Sequence, residues 1–389
     1  ILAPKTAYAN IHPNITLLTN SEVIDVRGYI GNFQVTVLKH PRYVDEERCT
    51  GCGLCTEKCP AKAPDEYSGG LGLRKAIYIP FPQAIPRKAV IDADHCLYFQ
   101  KGVCRVCERV CPAHAIDFNQ KPEEIRLKVG AIIVATGFEE YDPSEKHEYG
   151  FGVYPNVITQ FQLARMLDID GPTKGRLVRP SDGREPKSIL MIQCVGSREE
   201  DTHPYCSSIC CMYALKHAQI IKEMVLPEAE VTICYMDMRT PGKGFEEYYQ
   251  RTRELGVNFI RGKPSRIEED PETKSLIVQV EDTLLGEPLR LNADLVVLSC
   301  AAVPAKGSEK LAEILGIELD ENGFFKEAHP KLRPVETKVR GIYICGCAQG
   351  PKDIPSSIVQ AKAAASCVDT ELRRGRIRLP EYVVKGAKA

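Results

Sequence analysis

The chain has 389 residues, a formal net charge of -1 and 17 cysteines, and at 43% hydrophobic and 26% charged it is ordinary globular material with room for two or three domains. That balance argues against nucleic acid or an anionic membrane as the main partner, and no run approaches the roughly 20 apolar residues of a membrane span. With no signal-peptide pattern, the cysteines point to a reducing cytoplasm, where clustered thiols serve as metal ligands rather than disulfides.

The first residue is Ile1, and "ILAPKTAYANIHPNITLL" begins as if in mid-domain, so the expectation is a segment of a longer protein. Next comes "CTGCGLCTEKCP", which supplies Cys49, Cys52, Cys55 and Cys59 followed by Pro60. This is the bacterial ferredoxin spacing, C-x2-C-x2-C-x3-C-P, in which the fourth thiolate ligates the other cluster of a pair. "CLYFQKGVCRVCERVCP" repeats it at Cys96, Cys104, Cys107, Cys111 and Pro112, with the first gap stretched to seven residues. The crossed rule assigns Cys49, Cys52, Cys55 and Cys111 to one [4Fe-4S] cluster and Cys96, Cys104, Cys107 and Cys59 to the other. The competing reading is a pair of zinc sites, but zinc prefers two separated C-x2-C pairs.

"LKVGAIIVATGF" (127–138) reads as a strand ending in Ala135, Thr136 and Gly137, a turn with no bulky side chain. From 187 a new unit opens with "KSILMIQ" as its first strand, 207–226 as a helix and 229–237 as the second strand. "FEEYYQRTREL" gives another helix, "GVNFIRG" a strand and "SLIVQVED" a meander strand, and "NADLVVLSC" closes the sheet. Near the end, "VRGIYICGCAQGPKDIPSSIVQAKAAASC" (339–367) reads as a strand ending in Gly346 and a small-residue helix starting at Ile354 and Pro355. A helix N-terminus is a good seat for the electron-rich edge of a reduced flavin. In this order the pieces resemble the thioredoxin-reductase-like flavoproteins, with their FAD-binding and NAD-binding domains. Such proteins open on a G-x-G-x-x-G loop, a pattern this chain does not contain.

The loop after the strand at 187–193 is the unusual one. "CVGSREEDTHPYCSSICC" places Cys194, Cys206, Cys210 and Cys211 where a pyrophosphate loop belongs. Gly196 is all that remains of a glycine pattern, and Glu199, Glu200 and Asp201 are expected to repel phosphate, which disfavours a pyridine nucleotide. The four thiols suit a third iron–sulfur cluster, with Ser207 or Ser208 capping the helix; redox-active or merely buried thiols are the alternatives. Cys234, Cys300 and Cys367 read as packed hydrophobes, and His203 and His217 as surface residues or supports of the cluster motif.

"CVGSRE…YCSSICCMYALKHA", the ferredoxin insert and "GCAQGPKDIP" together resemble the A-type (HdrA-like) iron–sulfur flavoprotein of heterodisulfide reductase, over nearly the whole chain. The resemblance implies an α/β flavoprotein of two dinucleotide-binding domains with an inserted two-cluster ferredoxin domain. It divides the chain into a partial FAD-binding domain (1–43), the ferredoxin-like insert (44–113), the FAD domain continued (114–180), an NAD-like domain carrying the cysteine motif (181–300), the last FAD part (301–375) and a tail (376–389). It implies three [4Fe-4S] clusters and FAD, the third cluster lying beside the flavin, with Lys216 near flavin N5 as the catalytic residue. Cys347 stands where relatives place an aspartate on the ribityl chain, so Asp353 is expected in that role. The implied activity is oxidoreduction of the kind seen in methanogenesis, with the flavin splitting electron pairs between ferredoxin and a heterodisulfide. Partners would be the B-type and C-type subunits, a hydrogenase or formate dehydrogenase module, and ferredoxin. The family's N-terminal cluster domain, first FAD loop and C-terminal ferredoxin domain have no counterpart in this sequence. Two rivals remain at this point: an NAD(P)H-dependent protein of the glutamate-synthase small-subunit type, and a non-catalytic electron-relay adaptor.

Overall fold

A computed structural model describes residues 3–375, so the tail at 376–389 lies outside the described residues. The chain divides into two compact units, one of 3–22, 37–125 and 161–178, the other of 23–36, 126–160 and 179–375.

In the first unit the two cysteine runs fold alike. Leu54–Lys58 and Val106–Val110 are five-residue helices, ended by Cys59 and Cys111 in extended conformation. Pro60 and Pro112 follow, residues that cannot continue a helix. The stretched gap in the second run is taken up by one short helix, Leu97–Lys101, between Cys96 at its start and left-handed Gly102 (φ 69°) at its end. The insertion therefore leaves the spacing of Cys104, Cys107 and Cys111 undisturbed. Lys62–Pro64 pairs antiparallel with Leu73–Lys75, and Ile77–Tyr78 with Val90–Ile91. Between them Val44, Ile77, Ile91 and Phe118 form a small core with Cys55 and Cys107.

The second unit holds β1 (Ile132–Val134), β2 (Val157–Thr159), β3 (Ser188–Val195), α1 (Cys210–Ile220), β4 (Glu230–Tyr235), α2 (Phe245–Glu254) and β5 (Asn258–Arg261). β6 (Arg266–Glu269), β7 (Leu276–Asp282) and β8 (Glu287–Ala293) follow as an antiparallel meander, then β9 (Leu295–Cys300), β10 (Ile342–Ile344) and α3 (Ile354–Arg373). The main sheet has the order β2-β9-β3-β4-β5 with every pairing parallel. Its central strands are buried from end to end, as parallel strands covered on both faces must be. β9 does not close the sheet: β2, which lies outside 181–300, pairs beyond it. The chain runs outward from β3 to β5 and returns to the other side of β3, so the gap between β3 and β9 is the topological switch point, where open α/β sheets bind ligands.

Candidate functional site: three groups of four cysteines

The first unit contains two small cavities. One is lined by Cys49, Cys52, Cys55 and Cys111, the other by Cys59, Cys96, Cys104 and Cys107, so each run contributes three thiols to one cavity and one to its neighbour. The remaining walls are largely apolar, including Ile77, Ile91 and Phe118 around the second. Among the described residues no three His, Cys, Asp or Glu side chains are arranged to hold a single metal ion; these thiols ring a volume, as ligands of a bulky cluster must. Burial pushes Cys55 above the ordinary thiol range and Cys107 up to about 12, so both are neutral until a metal takes the proton's place. One lining cysteine of each cavity has its carbonyl held by a lysine. Lys75 Nζ donates to the Cys59 carbonyl at 2.8 Å, and Lys88 Nζ to the Cys49 carbonyl at 2.5 Å.

In the second unit, the loop 196–209 leaves β3 at the switch point. The backbone here is strained: Cys194 near the end of β3 (φ 61°), and Arg198 (φ 60°) and Ser208 (φ 62°) in the loop, are left-handed without being glycine, each costing about 1–3 kcal/mol, a cost that concentrates at functional sites. Gly196 is required for a different reason than phosphate approach, since a Cβ there would lie 2.3 Å from the Tyr141 ring. The loop is pinned to β9 and its extension, where Ser207 Oγ accepts from Ala302 N at 2.9 Å and Tyr205 Oη donates to Ala302 O at 2.9 Å. Neither Ser207 nor Ser208 caps α1. The helix starts at Cys210 with Ile209 before it and no side-chain cap, because Ser207 is held by β9 and Ser208 is left-handed.

These constraints bring Cys194, Cys210 and Cys211 into contact. The buried Cys210 thiol stays protonated and donates to both neighbours, which draws Cys211 down and brings Cys194 to about 7, with Arg198 adding to the pull on Cys194. Cys206 lies in the loop itself, outside that contact; its sulfur accepts from Ser208 N, and that of Cys211 from Arg239 N, each at 3.4 Å. One residue of the acidic stretch is not free to act as expected. Glu199 is bound by Lys146 and Lys263 and held below the usual carboxylate range, so its charge is already matched. Its part in the argument against a nucleotide falls away, and the thiols carry more of it. His203 Nδ1 bonds Gly196 O at 2.8 Å, supporting the loop. His217 is buried on α1, with Nδ1 2.6 Å from Gln160 Oε1, and burial lowers it to about 4. Lys216, beside it, is exposed.

The two remaining motif segments lie side by side, because β1 pairs in parallel with β10 and Cys345 N donates to Val134 O at 3.1 Å. This sets Ala135, Thr136 and left-handed Gly137 next to left-handed Gly346 and Cys347. Asp353 caps α3, accepting from Ser356 N at 2.9 Å, with Ile354 and Pro355 opening the helix. Local pattern missed Lys352, whose ammonium is folded into the loop and donates to Gly346 O, Gln349 Oε1 and Gly350 O at 2.9, 2.9 and 2.6 Å. Its only sequence signal was a lysine inside a Gly- and Pro-bounded turn.

Cysteine-ringed cavities in one unit and a thiol-bearing switch point in the other define an α/β protein of iron–sulfur redox type. The 4Fe-4S binding domain family matches residues 42–65. The A-type iron-sulfur subunit of the CoB–CoM heterodisulfide reductase of Methanocaldococcus jannaschii is 56% identical over 381 residues, 97% of this chain and 57% of the relative. The first of the A-type iron-sulfur subunits of Methanopyrus kandleri is 57% identical over 385 residues, again 97% of this chain and 57% of the relative. The A-type subunit of the H(2)/formate:CoB-CoM heterodisulfide,ferredoxin reductase of Methanococcus maripaludis is 55% identical over 97% of this chain. The chain belongs to the family of A-type heterodisulfide reductase subunits, and spans about 57% of the length of these relatives. Among solved structures, T. acidophilum thioredoxin reductase aligns with 64% of this chain and 69% of its own at 16% identity and TM-score 0.40; the fold described above stands on its own strand order. Among the described residues no helix is long and apolar enough to cross a membrane.

Proposed function

We propose that the chain is the electron-relay portion of the A-type component of a cytoplasmic heterodisulfide reductase-type complex, holding three [4Fe-4S] clusters and one edge of an FAD. The observation that carries this reading is the sorting of eight cysteines into two apolar cavities in the crossed pattern. One cluster is held by Cys49, Cys52, Cys55 and Cys111, the second by Cys59, Cys96, Cys104 and Cys107. The third is held by Cys194, Cys206, Cys210 and Cys211, whose sulfurs already receive N–H donors from Ser208 and Arg239, the kind of contact that tunes an iron–sulfur site. The flavin edge rests on Ala135, Thr136 and Gly137 and on Gly346, Cys347, Asp353, Ile354 and Pro355. Two left-handed glycines and a helix N-terminus let backbone donors approach it there, and Lys216 serves as its catalytic lysine.

A flavin exchanges electrons singly or in pairs, whereas each cubane carries one. Thiols at the switch point replace hydride exchange with single-electron transfer. Electrons would enter as pairs from a hydrogenase or formate dehydrogenase module and leave singly, one toward ferredoxin and one toward a heterodisulfide on the partner subunits. The six-part division of the sequence is the corresponding functional map.

Anaerobic purification with iron, sulfide and flavin counts tests this. Three cubanes predict about twelve iron atoms per chain. About eight would remove the third cluster, absence of flavin would leave an electron wire, and direct reduction of bound flavin by NAD(P)H would return the switch point to a nicotinamide.

A further inference from the structure

We propose that Gln193 and Ser197 are hydrogen-bond donors to the cluster held by Cys194, Cys206, Cys210 and Cys211 and that they set its reduction potential. The proposal rests on the third-cluster reading above and goes beyond it by naming the groups that tune the site.

Gln193 is 2% exposed and Ser197 1% exposed. Neither the amide nitrogen and oxygen of Gln193 nor the hydroxyl of Ser197 has a hydrogen-bond partner among the described residues. The buried arginine nitrogens in the same condition belong to guanidinium groups that donate through another nitrogen, as Arg42 does to Thr19 Oγ1 and Arg179 to Thr273 O. Gln193 has both ends of its amide unsatisfied. Leaving a buried polar group unpaired costs about 1–3 kcal/mol, and here three such atoms lie within five residues, bracketing Cys194.

Gln193 adjoins the first of the thiols in the chain. Met191, two residues earlier, points to the face covered by α1, because its sulfur accepts from Gln160, which also binds His217 of α1. Gln193 lies two residues beyond Met191 and directly before Cys194, at the edge of the bulge, so its place beside Cys194 in the chain, rather than strand alternation, brings its amide to this site. The bulge between Ile192 and Val195, with left-handed Cys194 inside it, breaks the alternation and turns Cys194 to meet Cys210. Cysteine sulfurs of this group already receive Ser208 N–H, Arg239 N–H and the Arg198 guanidinium. The Gln193 amide and the Ser197 hydroxyl, on either side of Cys194 in the chain, are the further donors assigned to it. Adding an electron makes the cluster more negative, so N–H and O–H donors stabilise the reduced form and raise the potential.

The test uses the complete complex, purified without oxygen, with iron counting and a potentiometric titration followed by electron paramagnetic resonance. In Gln193→Met, similar in size but without donors, iron should stay at the parental count. The ratio of reduced to oxidised forms of this one cluster at a fixed potential should fall about tenfold, a downward shift of about 59 mV for one electron. Ser197→Ala, a minimal change that spares the fold, should shift the same signal in the same direction by less. An unshifted potential in both variants at full iron content overturns the donor role. Cys206→Ser in parallel should cost about four iron atoms; if it costs none, the cluster reading and the proposal built on it fall together.

Discussion

In residues 44–118 the helices are five residues long and the paired strands two or three, and two of the buried core side chains, Cys55 and Cys107, line the cluster cavities. The sheet of the second unit is built otherwise. β3 and β9 are buried along their length, and Leu190, Ile192, Val296 and Leu298 join Val278 and Val280 of the meander in one core. Elements as short as the former are marginal in water without help, whereas each buried aliphatic side chain of the latter contributes about 1.5–3 kcal/mol. The thiols of the two regions therefore stand in different settings. Around the paired cavities Cys55 and Cys107 are part of the small core itself; at the switch point Cys194, Cys210 and Cys211 sit on a frame that already stands and that tolerates three left-handed non-glycine residues.

The sharpest way to break this contrast is to remove the metal. Oxidative loss of iron followed by chelation should melt residues 44–118, because cluster binding there is folding free energy, while the parallel sheet keeps its order. Limited proteolysis read by mass spectrometry should place new cuts between about residues 44 and 118 and leave 188–300 intact. Equal protection of both regions in the iron-free protein would show that the short elements stand alone.

The sheet has a different weak point, and it titrates. Unfolded, the His217 imidazole takes a proton below about 6.5; folded, burial first and the neighbouring Lys216 charge second keep it neutral down to about 4. Between these values the unfolded chain binds the extra proton, so stability falls as pH drops through 6.5 and levels off below 4, by about 3 kcal/mol in all. Urea unfolding of the 188–300 region followed from pH 7.5 to 4.5 should show that decline. His217→Gln, which keeps a donor for Gln160, should flatten it, and an unchanged acid limb in the variant would assign the loss to other groups.

The parts of this architecture that were legible in the sequence are those fixed by local spacing. The crossed sorting of Cys59 and Cys111 follows from C-x3-C-P, and the seven-residue gap after Cys96 cost the pattern nothing because it closes into a single helical turn and a glycine. Strand, loop and helix around 187–226 were legible from periodicity, although the helix begins later, at Cys210. What local pattern hides is the identity of distant partners. Glu199 reads as a free carboxylate until Lys263, 64 residues on, is placed against it, and Ser207 reads as a helix cap until Ala302 claims its oxygen. Gln193 looks like an ordinary strand residue, and only burial without a partner sets it apart.

The smallest expected effect discriminates best within the paired cavities themselves. Lys75 touches the carbonyl of Cys59 and Lys88 that of Cys49, ligands that the crossed pattern sends to different clusters. Each ammonium favours the more negative, reduced state of the cluster beside it, by on the order of 1 kcal/mol for a partly buried charge at this range. Lys75→Met should therefore lower the reduced fraction of one cluster several-fold at a fixed potential, and Lys88→Met that of the other. High salt should shrink both shifts, since neither lysine is fully buried. The two variants must move different resonance signals. If Cys59 instead shared a cluster with Cys49, Cys52 and Cys55, as an uncrossed reading of the first run would have it, both substitutions would shift the same signal, and the assignment of Cys59 and Cys111 would have to be exchanged.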